Sequence, residues 1–321
     1  MTRGELAQRA DARPSLDVRQ TTTSALRTQS LWMIGASIAF TGMATSIKLA
    51  AQDGVPVSNI IFYRGVFSVV VMSLYLRHRG LSLRTPHWNA HLRRSVASYA
   101  GLISYVAAIT LLPVATAVTL NYTSPLLLAT MLLWVHRERP EPPLLGALLG
   151  GLLGVILLLR PTYDQSHWLG GSIALASAGL AAWAALNIRA LGRLNEHPAR
   201  TVLYFSSFIT VATLPWFLVS NPRALTVQGT TYVLGAAAFA AVGQTMLTIA
   251  YQRGHTLLVS LLGYSQVIFT SILGVLIWND RLSSLSWLGM TLVILSGFVA
   301  TRFIRPVARA PSPARHVHIP E

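Results

Sequence analysis

The 321-residue chain has no cysteine, a single lysine and only ten carboxylate side chains. Lack of cysteine excludes disulfides, thiolate metal sites and thiol nucleophiles. Charge of either sign is scarce: 11% of residues are charged, against roughly 25% in a soluble globular protein. Such a chain cannot cover a water-facing surface. What fills it instead is apolar, 53% of all residues. A helix crosses a hydrocarbon core with about 20 mainly apolar residues, so the length accommodates about ten spans and no sizeable soluble domain. The expected fold class is therefore an all-α integral membrane protein.

The formal net charge is +15, which in a soluble protein would suggest nucleic acid as partner. Here the arginines flank apolar runs and do not gather on one motif, so the charge reads as membrane topology. The expected partners are the lipid bilayer and a small molecule, with no nucleic acid and no obligate protein partner. No cofactor and no metal are expected.

Residues 1–28 are polar, with Thr21, Thr22 and Thr23 among scattered arginines, and are expected to form a disordered tail. The apolar run that follows is too long for the core of a cleaved signal peptide. Apolar windows bounded by Pro, Gly, Asn and charge predict helices near 31–52, 57–77, 93–112, 115–135 and 143–160, then near 168–190, 199–219, 229–251, 255–278 and 285–304. With the amino terminus inside, twenty Lys and Arg fall in tails and loops of one side, and only Arg160, Arg223 and Arg281 on the other. That bias places both ends in the cytoplasm of a bacterial cell, with the inner membrane as location. Lys48 and Arg64 are the cations left inside helices.

The halves resemble each other. Gly35-Ala36-Ser37-Ile38-Ala39 opens the first helix much as Gly170-Gly171-Ser172-Ile173-Ala174 opens the sixth, and Ala108, Tyr122 and Glu138 match Ala250, Tyr264 and Asp280 at one offset of 142. An odd number of helices per half makes the second half enter the membrane in the opposite sense, an inverted repeat. The expected segments are a tail at 1–28, a first repeat at 29–163, a second at 164–305 and a cytoplasmic tail at 306–321.

Lys48 late in the first helix, Arg64 early in the second, the run Asn121-Tyr122-Thr123-Ser124-Pro125, and the acidic-Arg pairs Glu138-Arg139 and Asp280-Arg281 occur in a set order across residues 31–304. In these features the chain resembles the ten-helix drug/metabolite transporter superfamily, of the EamA type. One departure is Asn279-Asp280-Arg281-Leu282, where that family usually has Gly-Glu and an apolar residue; Asp for Glu keeps the charge. The resemblance implies a central cavity lined by both halves and an alternating-access cycle, with a substrate drawn from amino acids, nucleotides, sugars or vitamins.

Two readings stay open for each candidate. A cation seven residues inside a helix, as Arg64 is, costs at least about 2.5–3.5 kcal/mol in the membrane and should face the bundle interior. There its guanidinium can bind a carboxylate or phosphate with paired hydrogen bonds, or tie helices together. Lys48 can add a second cation to that site, or reach the interface on its long stem. Pro125 removes a backbone donor and frees a carbonyl near residue 121, which predicts a kink beside a cavity. Asn121, Tyr122 and Ser124 there, and Tyr264, Ser265 and Gln266 at the related depth of the ninth helix, can bond substrate or neighbouring helices. Asn187, Trp183 and Gln244 are weaker candidates for the cavity. Pro125, Glu138, Arg139, Asp280 and Arg281 read as structural or gating residues, and Gly146, Gly150 and Gly154 as a close-packing stripe.

The acidic residues lie in tails, loops or helix ends and the histidines avoid helix centres. A proton or sodium relay needs an intramembrane carboxylate, so uniport or exchange is expected. The expected function is a secondary transporter of a small polar or amphipathic metabolite that is anionic, zwitterionic or neutral. An exporter of amino acids or toxic metabolites and an importer of a vitamin or nucleotide-like molecule are the alternatives within that class. No HExxH, acidic metal cluster or Ser/His/Asp set lies at membrane depth, which argues against a membrane enzyme acting on a lipid-linked substrate.

Overall fold

A computed structural model describes residues 25–135, 137–138, 140–161, 168–220, 226–279 and 281–302. Ten helices among them are long and apolar enough to cross a membrane: α1 Ala25–Gln52, α2 Val57–His78, α3 Trp88–Leu111, α4 Val114–Trp134, α5 Pro142–Leu159, α6 Trp168–Arg193, α7 Pro198–Val219, α8 Val227–Arg253, α9 Thr256–Trp278 and α10 Ser284–Arg302. With an even number of spans, residues 25 and 302 lie on one side, called here the terminal side; the other is the far side.

Local chemistry sets the boundaries. Proline precedes α2 and α4 (Pro56, Pro113) and opens α5 and α7 (Pro142, Pro198), where its missing N–H is one that a first turn leaves unbonded. The Thr226 hydroxyl caps α8 by accepting from Gly229 N at 2.8 Å. Exposed tryptophans mark both interfaces, Trp88 and Trp134 on the terminal side and Trp168, Trp216 and Trp287 on the far side, as rings with an apolar body and a polar tip do in membranes.

Two boundaries differ from the sequence expectation by five residues or more. α1 is helical already at Ala25, the first described residue, inside the stretch expected to be a disordered tail: Arg27 Nη2 donates to the last-turn carbonyl of Arg302 at 3.1 Å, fastening this end of α1 to α10. α3 starts at Trp88, five residues early, because Arg94 turns into the protein and does not mark the membrane edge.

The packing shows a two-fold relation. α1 lies along α8 as α6 lies along α3, while α2 pairs with α7 and α5 with α10. Turns repeat as well. At the end of α1 Gly54 takes φ +79° and Val55 N bonds Ala50 O at 3.0 Å; at the end of α6 Asn195 takes φ +56° and Glu196 N bonds Leu191 O at 3.0 Å. This is the same left-handed helix ending, built once on glycine and once on asparagine. Arg137 and Asn279, 142 positions apart, share it with φ 54° and 55°. The chain is thus two five-helix repeats of opposite orientation.

α5 and α10 cross backbone to backbone. A Cβ on Gly154 would lie 2.6 Å from Gly289 O, and one on Gly289 would lie 2.5 Å from Gly154 O. The expected stripe is corrected here: Gly146 and Gly150 face open space, and Gly151 joins Gly154 at the interface.

Candidate functional site

The regular hydrogen-bond ladders of α4 and α9 are interrupted at equivalent places, where the backbone stays in the right-handed helical region. α4 divides into Val114–Asn121 and Ser124–Trp134, and α9 into Thr256–Leu262 and Ser265–Trp278. Pro125, buried in the first turn of the second piece of α4, accounts for one break. In α9 no proline is involved; Gly263 and Tyr264 stand at the break, where Tyr264 N and Gln266 N bond three residues back, to Leu261 O at 3.0 Å and Gly263 O at 3.1 Å. Tyr122 and Tyr264 meet there edge to face, ring centroids 5.8 Å apart. Broken helices whose freed backbone groups line an internal path are the usual substrate-site architecture of inverted-repeat carriers.

Asn121 Nδ2 donates to Ser177 Oγ at 2.9 Å, and that hydroxyl donates to Gly101 O at 3.0 Å, so Asn121 joins α4 to α6 and α3. Tyr264 is fully buried, wedged against Gly151 and Ser296, and its hydroxyl has no hydrogen-bond partner. The Ser265 hydroxyl bonds back to Leu262 O at 2.7 Å; Ser124 and Gln266 are half-buried beside the two breaks. Asn187 Nδ2 donates to Trp183 O at 2.8 Å, one turn back on α6, and the Trp183 side chain is exposed.

Arg64 is half-buried on α2, its Nη1 3.4 Å from Met43 Sδ of α1. A thioether is a weak acceptor for a guanidinium, so most of its donor capacity stays open. Next to it Gly65 lets α2 approach α7: a Cβ there would lie 2.4 Å from Thr210 Oγ1. Lys48 is exposed, its Nζ 3.6 Å above the centre of the Trp278 ring at the far end of α9, a cation–π contact. Lys48 and Arg64 therefore engage different partners.

Glu138 makes its described contacts with α6. Its carboxylate receives both Arg189 nitrogens, at 2.9 and 3.1 Å, and Arg193 at 3.0 Å, joining the end of α4 to α6. Burial pushes this carboxyl up, but the two arginines outweigh it and hold it below the usual range. Arg281 is exposed; Arg139 and Asp280 lie outside the described residues.

Three buried groups were not singled out from sequence. Arg94, counted there among loop cations, is only 2% exposed. Its Nη2 donates to Gln244 Oε1 of α8 at 3.2 Å, its face lies 3.7 Å from the Phe205 ring centre on α7, and Nε and Nη1 have no hydrogen-bond partner. Beneath it His91 Nε2 sits 3.3 Å from Glu196 Oε2, both side chains 1% exposed. Glu196, in the α6–α7 loop, also accepts from Thr85 at 2.5 Å and from Arg200. Its burial raises the carboxyl, and the bonds from Thr85, His91 and Arg200 more than reverse this. The signal for Arg94 was its helical face, shared with Ala90, Ala97 and Gly101, all buried. Arg200, four residues on, was the one local signal for Glu196, whose other partners Thr85 and His91 come from a distant segment.

The profile of the EamA-like transporter family matches twice, over residues 28–160 and 168–302. The chain belongs to that family. Its place is thus in the drug/metabolite transporter superfamily, and it is a multi-pass membrane protein of the transporter class. Among its relatives is the pseudopaline exporter CntI of Pseudomonas aeruginosa, 26% identical over 86% of this chain and 97% of that protein. A riboflavin transporter of Brucella anthropi is 24% identical over 82% of this chain and 94% of that protein. One solved crystal structure superposes with a TM-score of 0.76 at 20% identity, covering 86% of this chain and 98% of the other, and so shares the EamA fold.

Proposed function

We propose that this EamA-type protein is a secondary transporter that carries a small polar or amphipathic metabolite across the bacterial inner membrane by alternating access, as a uniporter or exchanger. The observation that carries the reading is the paired break of α4 and α9 at Tyr122 and Tyr264, where the two repeats meet. Exporter and transporter relatives that align over nearly their whole length support the same class. Arg64 orients the substrate, and Lys48, Asn121, Tyr122, Ser124, Asn187, Tyr264 and Gln266 are the further candidates for contact. The substrate is anionic, zwitterionic or neutral, because neither Arg64 nor Arg94 takes part in the ion pairs found among the described residues. Both termini lie in the cytoplasm, in keeping with the arginine bias between the two sides.

The test begins with thermal unfolding of purified protein against anionic, zwitterionic, neutral and cationic metabolites. Ligand at 100 times its dissociation constant adds about 2.7 kcal/mol of stability. A stabilising compound is then loaded into proteoliposomes, and uptake of its radiolabelled form is followed. Uptake accelerated by internal unlabelled compound supports a carrier. Flux without saturation or counterflow would mean a channel, and stabilisation by cations alone would remove the assigned substrate class.

A further inference from the structure

We infer that Arg94, with Gln244 and Phe205, is a carboxylate-binding site of this transporter, presented when the terminal side opens. The guanidinium is held between α3, α7 and α8, about 9 Å along α3 from Trp88 at 1.5 Å per residue and one helical turn from His91, which with Arg200 engages the buried Glu196 carboxylate. A buried cation without a counter-ion is expensive and persists where function requires it. Arg94 meets no carboxylate: the described ion pairs are those of Glu138 and Glu196.

The geometry selects the ligand. A guanidinium offers five N–H donors in a planar fork. Phe205 covers one face, and Gln244 takes a single donor through Nη2. Since Nε and Nη1 are both free, one complete edge keeps two parallel N–H groups, the arrangement that matches the two oxygens of a carboxylate. One guanidinium balances one negative charge, whereas a phosphate monoester carries about −1.5 to −2 at neutral pH. The ligand is accordingly a small metabolite bearing a carboxylate.

Access requires movement. Gln244 and Gln252 of α8 bond Arg94 of α3 and Thr201 of α7, at 3.2 and 3.1 Å, and Gly192 of α6 packs on Gln252, where a Cβ would lie 2.7 Å from backbone. These contacts close α8 against α3, α6 and α7 on the terminal side. Parting them exposes the free edge of Arg94, while Arg64 lies about 10 Å in from the far end of α2. The assignment rests on the alternating-access reading, because the guanidinium is closed off in this conformation.

The experiment compares the full-length protein with Arg94→Lys, Arg94→Gln and Arg94→Met, each purified in detergent and melted against the monocarboxylates benzoate and butyrate, their uncharged amides, and phenyl phosphate. Benzoate or butyrate should raise the melting temperature of the wild-type protein by several degrees. The amides should not, Arg94→Lys should bind more weakly, and Arg94→Gln should lose at least tenfold in affinity. Without ligand, Arg94→Met should melt no lower than wild type, because an unpaired buried charge is removed. Equal shifts with the amides, a stronger effect of phenyl phosphate, no carboxylate shift in wild type, or undiminished binding by Arg94→Gln would each overturn the site. A melting temperature lowered by more than about 5 °C in Arg94→Met would overturn it too, making the guanidinium a structural tie. Counterflow that survives these failures would leave the carrier reading standing, whereas Arg94-dependent binding without counterflow would remove the carrier reading alone.

Discussion

Tyr264 is packed so closely over Gly151 that a Cβ on the glycine would sit 2.6 Å from the tyrosine ring. The ring fills the space between α5 and α10 at the break in α9, and its hydroxyl is buried without a partner. A buried hydroxyl that makes no bond costs about 1–3 kcal/mol. Tyr264→Phe should therefore keep or raise stability, by about 1 kcal/mol, when thermal unfolding is compared with wild type. Gly151→Ala should lower it by about 2 kcal/mol through overpacking. A strong loss in Tyr264→Phe would mean that the hydroxyl is bonded in the folded protein.

The glycines of α5 provide a sharper contrast. Gly150 faces open space, whereas Gly154 meets the backbone of Gly289. Backbone cannot rotate out of the way as a side chain can. Gly150→Ala should be neutral or slightly stabilising, since alanine is the better helix former by about 1 kcal/mol. Gly154→Ala should destabilise by about 1–3 kcal/mol or more. Equal melting temperatures for the two variants would refute the close crossing of α5 and α10.

Much of this architecture is written locally. Apolar runs ended by proline or charge mark the helices, and Pro125 announces the break in α4 because a missing N–H acts within one turn. The break at Gly263 and Tyr264 has no such chemical marker and becomes legible only through its offset from Tyr122. Arg94 stands beside Arg93, and the two read alike as loop charges; burial separates them, since Arg93 is exposed and Arg94 is not. Likewise Glu138 finds its partner 51 positions away in Arg189. Tertiary pairings of that kind follow from how α4 and α6 pack, which periodicity within one helix does not encode.

The Glu138 cluster is only partly shielded, with the side chains of Glu138 and Arg189 29% and 16% exposed. Its bidentate geometry lifts it above an ordinary surface pair. Glu138→Gln should cost about 1–2 kcal/mol. A double-mutant cycle with Arg189→Gln should show coupling of about 1 kcal/mol, reduced at high salt. Strict additivity in that cycle would make the contact energetically silent.

Acid should weaken the same end of the bundle. His255, the cap of α9, is pushed down to about 4 from an ordinary 6.5, mainly by burial, then by Arg189, with Glu138 opposing. A depressed histidine binds a proton in the unfolded chain before it does in the folded one, so stability falls as pH drops from about 6.5 towards 4, by on the order of 2 kcal/mol at about pH 5. Glu138 adds to the loss only lower, as pH falls below about 4.5 and through its depressed folded value. Asparagine can replace the cap that His255 Nδ1 makes to Leu258 N. His255→Asn should therefore flatten the fall in melting temperature between about pH 6.5 and 5; an unchanged slope would place the titration elsewhere.

Arg64 and Lys48 should separate cleanly by function. The Arg64 guanidinium, half-buried beside a thioether, has donors to spend on a ligand, while Lys48 is exposed and already placed over Trp278. Arg64→Ala should abolish transport in proteoliposomes and leave the melting temperature within a few degrees of wild type, because the variant removes a costly intramembrane charge. Lys48→Met should weaken transport less than Arg64→Ala does, and lose about 0.5–1 kcal/mol, the worth of an exposed cation–π contact. If folded Arg64→Ala transported at the wild-type rate, the guanidinium would be a tie between α2 and α1, and the substrate contact would move to the Tyr122 and Tyr264 breaks. If Lys48→Met lost transport with its fold intact, the ammonium would belong to the substrate path and its contact with Trp278 would be one state of a moving residue.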